Sequence, residues 1–131
     1  MKDQTVLQSK RLELFSCTAD YTLQAAVQKM VQEDISCLVV VDNQGDLAGI
    51  VTRIDLVKAC LASDNWGQQL VGNHMITDVI TAPPDMSLGE VGQLLLTYHI
   101  HRVVIVRAEN GRRVPVAIVS AADLVYHMAR E

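Results

Sequence analysis

Apolar positions along this chain change period in the same order twice. From Leu23 they recur at helical spacing, at Leu23, Ala26, Val27, Met30 and Val31. They then run together in two β-branched stretches, Cys37–Val41 and Leu47–Val51, separated by Asn43, Gln44 and Gly45. This pattern predicts a helix followed by a hairpin. A second helix is expected from Arg53 to about Ala62. Leu88, Val91, Leu95 and Leu96 restart the helical spacing, followed by strands at Val103–Val106 and Val114–Val119 and a longer tip containing Asn110 and Gly111. A last helix is expected from Ala121 to about Ala129. Each series is preceded by a short extended stretch, Leu14–Cys17 or Val79–Ala82, and by a turn, Thr18–Asp20 or Pro83–Asp85.

The two series superimpose at a shift of 65 residues, which places Leu23 on Leu88, Ile35 on Ile100 and Val41 on Val106. Three extra residues enter the second copy around Glu109–Arg113. The match resumes at a shift of 68, with Ile50 on Ile118, Thr52 on Ser120 and Asp55 on Asp123. Two copies are too few for an open solenoid, so the expected outcome is a closed pair in which each copy covers the other's apolar face. The fold class is therefore α/β (α+β), a β-α-β-β-α unit repeated over residues 1–68 and 69–131. A free copy of about 60 residues would bury only about 60% of its unfolded surface, so the halves are expected to fold together.

Composition narrows the classes. The 131 residues are 50% apolar with a net charge of −4. An acidic chain with few aromatic residues argues against nucleic-acid binding. No apolar run approaches a membrane span, and the first residues lack the apolar core of a signal peptide. Cys17, Cys37 and Cys60 are odd in number and lack metal-ligand spacing. They predict reduced thiols in a cytoplasmic protein, each packed as a small hydrophobe. Trp66, the only tryptophan, is expected to pack over the joint between the copies, with a subunit interface as the alternative.

Two constellations carry chemistry. The first is the strand-to-helix phrase, GIVTRID at Gly49–Asp55 and AIVSAAD at Ala117–Asp123. Thr52 and Ser120 are placed as N-caps with Asp55 and Asp123 three residues on. That spacing is a capping arrangement in its own right. The same geometry suits a nucleotide, since a helix N-terminus offers amides to a phosphate and a carboxylate can accept from a ribose diol. Ser87 with Glu90 repeats the capping box without the second context. The second constellation is His99–Val103, which sets His101 and Arg102 against Ser36 and Cys37 of the first copy. A basic pair at a helix end can serve the helix dipole or a ligand phosphate. His99 and His101 lack partners for a metal site. His127, near the end of the last helix, is expected to be solvated or to serve the helix dipole. No nucleophile elbow, phosphate loop or zinc-protease helix is present, so no catalytic residue is expected.

These phrases together resemble a tandem pair of CBS (cystathionine β-synthase) domains, the Bateman module. The matching features are HMITDVITAPPDMSLGEV (His74–Val91), IHRVVIV (Ile100–Val106) and both phrases ending in aspartate. The resemblance covers about Leu14 to Met128. It implies two interlocked repeats packed through their sheets about a pseudo-two-fold axis, with clefts for AMP, ADP, ATP or S-adenosylmethionine. It implies that Asp55 and Asp123 hold ribose hydroxyls and that Thr52 and Ser120 approach phosphate or ribose. The phrase IHR is similar to one in the γ subunits of AMP-activated protein kinase, which implies phosphate contacts for His101 and Arg102. Val79, Ile80 and Thr81 would line the base. The best site is expected to join Thr52 and Asp55 to His101 and Arg102. The other, with Ser120 and Asp123 facing the neutral Ser36 and Cys37, is expected to take a less charged ligand or none.

The chain departs from the family pattern at Leu38 and Val103, where proline is common, and at Ala117, where glycine is expected. The lead-in from Leu12 to Cys17 matches weakly. The function implied is a non-enzymatic sensor with no cofactor, forming a homodimer and acting on an effector protein, with no nucleic-acid or membrane partner. A dimerisation or docking module without a small ligand is the alternative.

Overall fold

Helix starts follow the hydroxyl residues. In a computed structural model that describes residues 1–9 and 14–131, Thr22 is extended (φ −73°, ψ 154°) and its side chain accepts from the Ala25 amide at 3.1 Å. The helix Leu23–Glu33 (α2) follows, and Asp34 closes it in the left-handed region at φ 53°. Its counterpart Leu88–Tyr98 (α4) starts on Ser87, which forms a capping box with Glu90, and ends on His99 at φ 54°. A short helix, Val6–Ser9 (α1), precedes both. Leu12 and Glu13, part of the weak lead-in, lie outside the described residues.

Each copy builds one three-stranded sheet. Ser16–Cys17 (β1) runs parallel to Cys37–Val41 (β2), which pairs antiparallel with Leu47–Thr52 (β3). Thr81–Ala82 (β4), Arg102–Glu109 (β5) and Arg112–Ser120 (β6) repeat that order. The register shifts at Val40/Val41 and at Ile105/Val106, the same place in each copy. Pro115 faces Val106 at the second shift, where its missing N–H costs least. Helices Arg53–Ala62 (α3) and Ala121–Met128 (α5) complete the copies.

The extra residues of the second copy do not enlarge the tip. Asn110 (φ 50°) and Gly111 (φ 79°) make a two-residue turn, and pairing continues out to Glu109↔Arg112. Positive φ at both positions matches the twist of the flanking strands, so the insertion lengthens the ribbon instead. The first hairpin has a wider turn in which the Asp42 carboxylate accepts from the amides of Gln44 and Asp46.

The helical stripes hold with one correction in each copy. Leu23, Ala26 and Met30 are buried, as are Leu88, Val91 and Leu95, but Val31 and Leu96 are 76% and 70% exposed. Eight residues past the first stripe position, a 3.6-residue helix has turned about 80° away from it. Leu38 and Val103, the proline positions of the family pattern, are fully buried strand residues. Cys17 and Cys37 are buried, whereas Cys60 is exposed on the outer side of α3.

Packing groups the residues into two compact units. One compact unit is Phe15–Val79; the other is Met1–Leu14 with Ile80–Glu131. Backbone hydrogen bonds give the reason. A helix leaves its first amides without partners, and in each unit a foreign lead-in segment supplies the acceptor. Leu88 N donates to Gln4 O and Leu23 N to Gln69 O, both at 2.8 Å. Val6 N donates to Met86 O and Val71 N to Tyr21 O. Isolated bridges join Thr5 to Ser87 and Leu70 to Thr22, and Val6 and Val71 are buried in the two cores. Every pair differs by the same 65 residues, so residues 1–9 do for the second repeat what residues 66–74 do for the first.

Candidate functional site

The two strand-to-helix junctions share the backbone geometry of their cap residues. Thr52 has φ −117° and ψ 167°; Ser120 has φ −115° and ψ 168°. In each, the aspartate three residues on reaches back. Asp55 Oδ2 accepts from the Thr52 amide and hydroxyl, both at 2.8 Å. Asp123 Oδ2 accepts from the Ser120 amide at 2.8 Å and its hydroxyl at 3.0 Å. The hydroxyl in turn accepts from the aspartate amide. The capping reading of the sequence therefore holds in full. It leaves Asp55 Oδ1 without a hydrogen-bond partner among the described residues, so half of a locked carboxylate is available to a ligand.

This arrangement also uses most of the amides that a phosphate would need. Arg53 N donates to Ser36 O at 3.2 Å, and Ala121 N donates to His101 O at 3.1 Å. The third helical amide goes to the hydroxyl. Among the first three amides of each helix, those of Ile54 and Ala122 alone lack a partner among the described residues. The junction is better fitted to a diol than to a phosphate cradle.

The remaining residues named from the sequence sort into two groups. Ser36 and Cys37 stand beside Thr52 and Asp55: Cys37 faces Thr52 across the sheet. His101 and Arg102 stand beside Ser120 and Asp123 in the other unit, where Arg102 faces Ser120. His101 is exposed and Arg102 half-buried. Ile80 and Thr81 belong to the same unit as His101 and Arg102, at the end of the sheet where β5 begins and β6 ends. Ile80 O accepts from Val104 N at 3.2 Å, and Phe15 O accepts from Val39 N at 3.0 Å. Phe15 and Ser16 are thus the first unit's counterparts of Ile80 and Thr81, and sequence reasoning missed them. The 65-residue shift, applied to the lead-in, would have found them.

Lys29 was also missed. Its Nζ donates to Ser16 O at 2.8 Å and lies 5.8 Å from the centroid of the Tyr21 ring. Nothing in a lone lysine on a helix signals such a contact. Beside it, burial pushes the Cys17 thiol up to about 11, with Lys29 acting in the opposite direction.

Trp66 stands in a short 3₁₀ turn, Trp66–Gln68. It is half-buried against the core of the first unit and helps wall an open groove of about 550 Å³ with Val27, Met30, Val57 and Cys60. The groove is apolar and holds none of the junction carboxylates. Of the two roles expected for His127, the solvated one does not hold: its Nε2 is buried without a partner among the described residues. Among the described residues, no cluster could hold a metal ion and no helix is long and apolar enough to cross a membrane.

Comparison with known proteins agrees with this architecture. The CBS domain family model matches residues 9–62 and 71–130. The chain is similar to the CBS domain-containing protein YhcV of Bacillus subtilis, 32% identical over 120 residues, covering 91% of this chain and 82% of that one. It is similar in structure to the CBS domain pair of protein MJ0100, crystallised in complex with 5′-methylthioadenosine and S-adenosyl-L-methionine. The TM-score is 0.79 with 28% identity, and 97% of each chain is covered. The CBS-domain protein ATU1752 of Agrobacterium tumefaciens gives a TM-score of 0.81 at 24% identity, covering 96% and 94% of the chains. That last likeness is one of fold.

Proposed function

This chain belongs to the CBS domain family, one domain in each half, and from that membership we propose that it is a regulatory sensor of an adenosine-containing ligand. The ligand class is AMP, ADP, ATP or S-adenosylmethionine, bound without turnover. One observation carries the reading: the Asp55 carboxylate is locked by its own cap, yet keeps Oδ1 open. An oriented carboxylate oxygen with two free lone pairs suits the vicinal hydroxyls of a ribose. Asp123, whose Oδ2 is fixed by the same cap, is assigned the ribose in the other unit by its matching position. Ile80 and Thr81 would line the base, and Thr52, Ser120 and Ser36 would border the sugar. His101 and Arg102 would meet the phosphates or the sulfonium ligand's carboxylate. The MJ0100 domain pair supports the ligand class, since it holds two adenosine derivatives.

Titration calorimetry with AMP, ATP and S-adenosylmethionine tests this. Asp123→Ala, and the double variant Asp55→Ala with Asp123→Ala, are expected to weaken binding at least about tenfold, the scale of a lost charged hydrogen bond. Arg102→Ala is expected to weaken ATP more than S-adenosylmethionine. Unchanged affinity in all three variants would refute the site.

We further propose a homodimer in the cytoplasm that acts on an effector protein. Val31, Val57 and Leu61 on one helix pair, and Leu96, Val125 and Met128 on the other, are each more than half exposed. Matched apolar surface of this kind is what a second copy covers. The free thiols suit a reducing compartment. Light scattering is expected to give twice the chain mass, and Val57→Glu with Val125→Glu is expected to halve it. The same surface favours the alternative, a docking module with no small ligand. A thermal-shift screen silent to every adenosine ligand would select that alternative.

A further inference from the structure

The two lead-in edges differ at one residue. The carbonyls of Phe15 and Ile80 point into the sheet, where they accept from Val39 and Val104. Strand alternation therefore turns the carbonyls of the next residues, Ser16 and Thr81, to the outer edge. In the first unit Lys29 covers that carbonyl, donating from Nζ to Ser16 O at 2.8 Å. In the second unit the residue matched to Lys29 is Leu94, which packs against the core. No donor outside the sheet ladder meets the Thr81 carbonyl among the described residues. One edge thus presents an acceptor and the other an ammonium.

Lysine has three N–H donors and no acceptor. One is spent on Ser16 and two remain, on a half-buried side chain held beside the Tyr21 ring. A 6-aminopurine brings a donor to the edge of its base, which a bare carbonyl accepts and an ammonium cannot. A 6-oxopurine brings an acceptor, which the ammonium satisfies and a bare carbonyl opposes. Sites built around one hydrogen-bonding pattern reject the opposite pattern strongly, because a buried group is left unpaired.

We propose that Lys29 sets the base preference of its unit, so that the Asp55 junction takes a 6-oxopurine nucleotide while the Asp123 junction takes a 6-aminopurine one. This rests on the reading above, in which the base lies along the lead-in edge and the ribose on the aspartate. The residue acts by position: it occupies the acceptor that adenine would use and replaces it with a donor.

Titration calorimetry on the full chain with AMP and GMP separates the possibilities. In the wild type, AMP binding is expected to be lost in Asp123→Ala and kept in Asp55→Ala; GMP binding is expected to show the reverse. Lys29→Leu, which installs the second copy's residue, is expected to weaken GMP by about tenfold or more. It is also expected to add an AMP site that disappears with Asp55→Ala. Lys29→Met serves as a second variant with a linear side chain, with circular dichroism checking that both are folded. GMP affinity unchanged by both substitutions, or equal AMP binding at both aspartates in the wild type, would overturn the proposal. If AMP binds through Asp123 but Lys29 has no effect, this inference alone fails. If neither nucleotide binds the wild type, the nucleotide reading fails with it.

Discussion

The two units share their junction geometry and differ in what surrounds it. Thr52 and Ser120 agree within 2° in both backbone angles, and each aspartate closes the same cap. Around them, Ser36 and Cys37 stand where the other unit has His101 and Arg102, and Lys29 stands where the other has Leu94. The difference teaches where selection by the fold stops. A helix start needs a hydroxyl and a carboxylate at set spacing in either copy. The strand and helix residues beside it need only fit, so they are free to carry distinct chemistry.

Substitutions that exchange residues between the copies break or sharpen this comparison. The largest effect is expected at Gly49. A Cβ there would lie 2.5 Å from the Ile76 carbonyl, because residue 76 bridges Ile50 along the edge of β3. Gly49→Ala is expected to cost about 2 kcal/mol, although its counterpart Ala117 already carries that methyl and is buried. Denaturant unfolding would measure it, and a cost near zero would mean that the two sheet edges are interchangeable.

Next come the caps. Thr52→Ala and Ser120→Ala are each expected to cost about 1 kcal/mol, while Thr52→Ser and Ser120→Thr leave stability nearly unchanged. Unequal losses in the alanine pair would contradict the equivalence of the junctions.

A smaller effect separates β1 from β4. Cys17 corresponds to Ala82, so only the first unit carries a buried thiol there. Burial raises its folded pKa from about 9 to about 11. The unfolded chain therefore releases this proton first as pH rises. The thiol's contribution to stability is full below pH 9 and is lost progressively toward pH 11. Cys17→Ala is expected to remove that alkaline slope, which urea midpoints at pH 8 and pH 10.5 would show.

Most of the architecture was legible because the same short-range signals occur twice. Thr22, Ser87, Thr52 and Ser120 mark helix starts whose caps form inside four residues, so no distant contact decides them. Three features were not legible. The pairing of residues 1–9 with the second repeat depends on contacts such as the Leu88 amide on the Gln4 carbonyl, 84 residues apart, which no local pattern records. The insertion in the second hairpin reads as a longer loop, but Asn110 and Gly111 tolerate positive φ and let the strands lengthen instead. Val31 and Leu96 are apolar at helical spacing yet face outward, since periodicity gives a stripe and not its width. For the site, Asp55 and Asp123 announce themselves by spacing, whereas Lys29 acquires meaning only when its ammonium is found on Ser16.

The central claim is that two junctions built alike hold different bases, and a crystal structure grown with equimolar AMP and GMP tests it most directly. The account predicts the AMP ribose on Asp123 with its amino group at the Thr81 carbonyl, and the GMP ribose on Asp55 with its 6-oxo group at Lys29. The same nucleotide on both aspartates, or density for neither at these carboxylates, would contradict it.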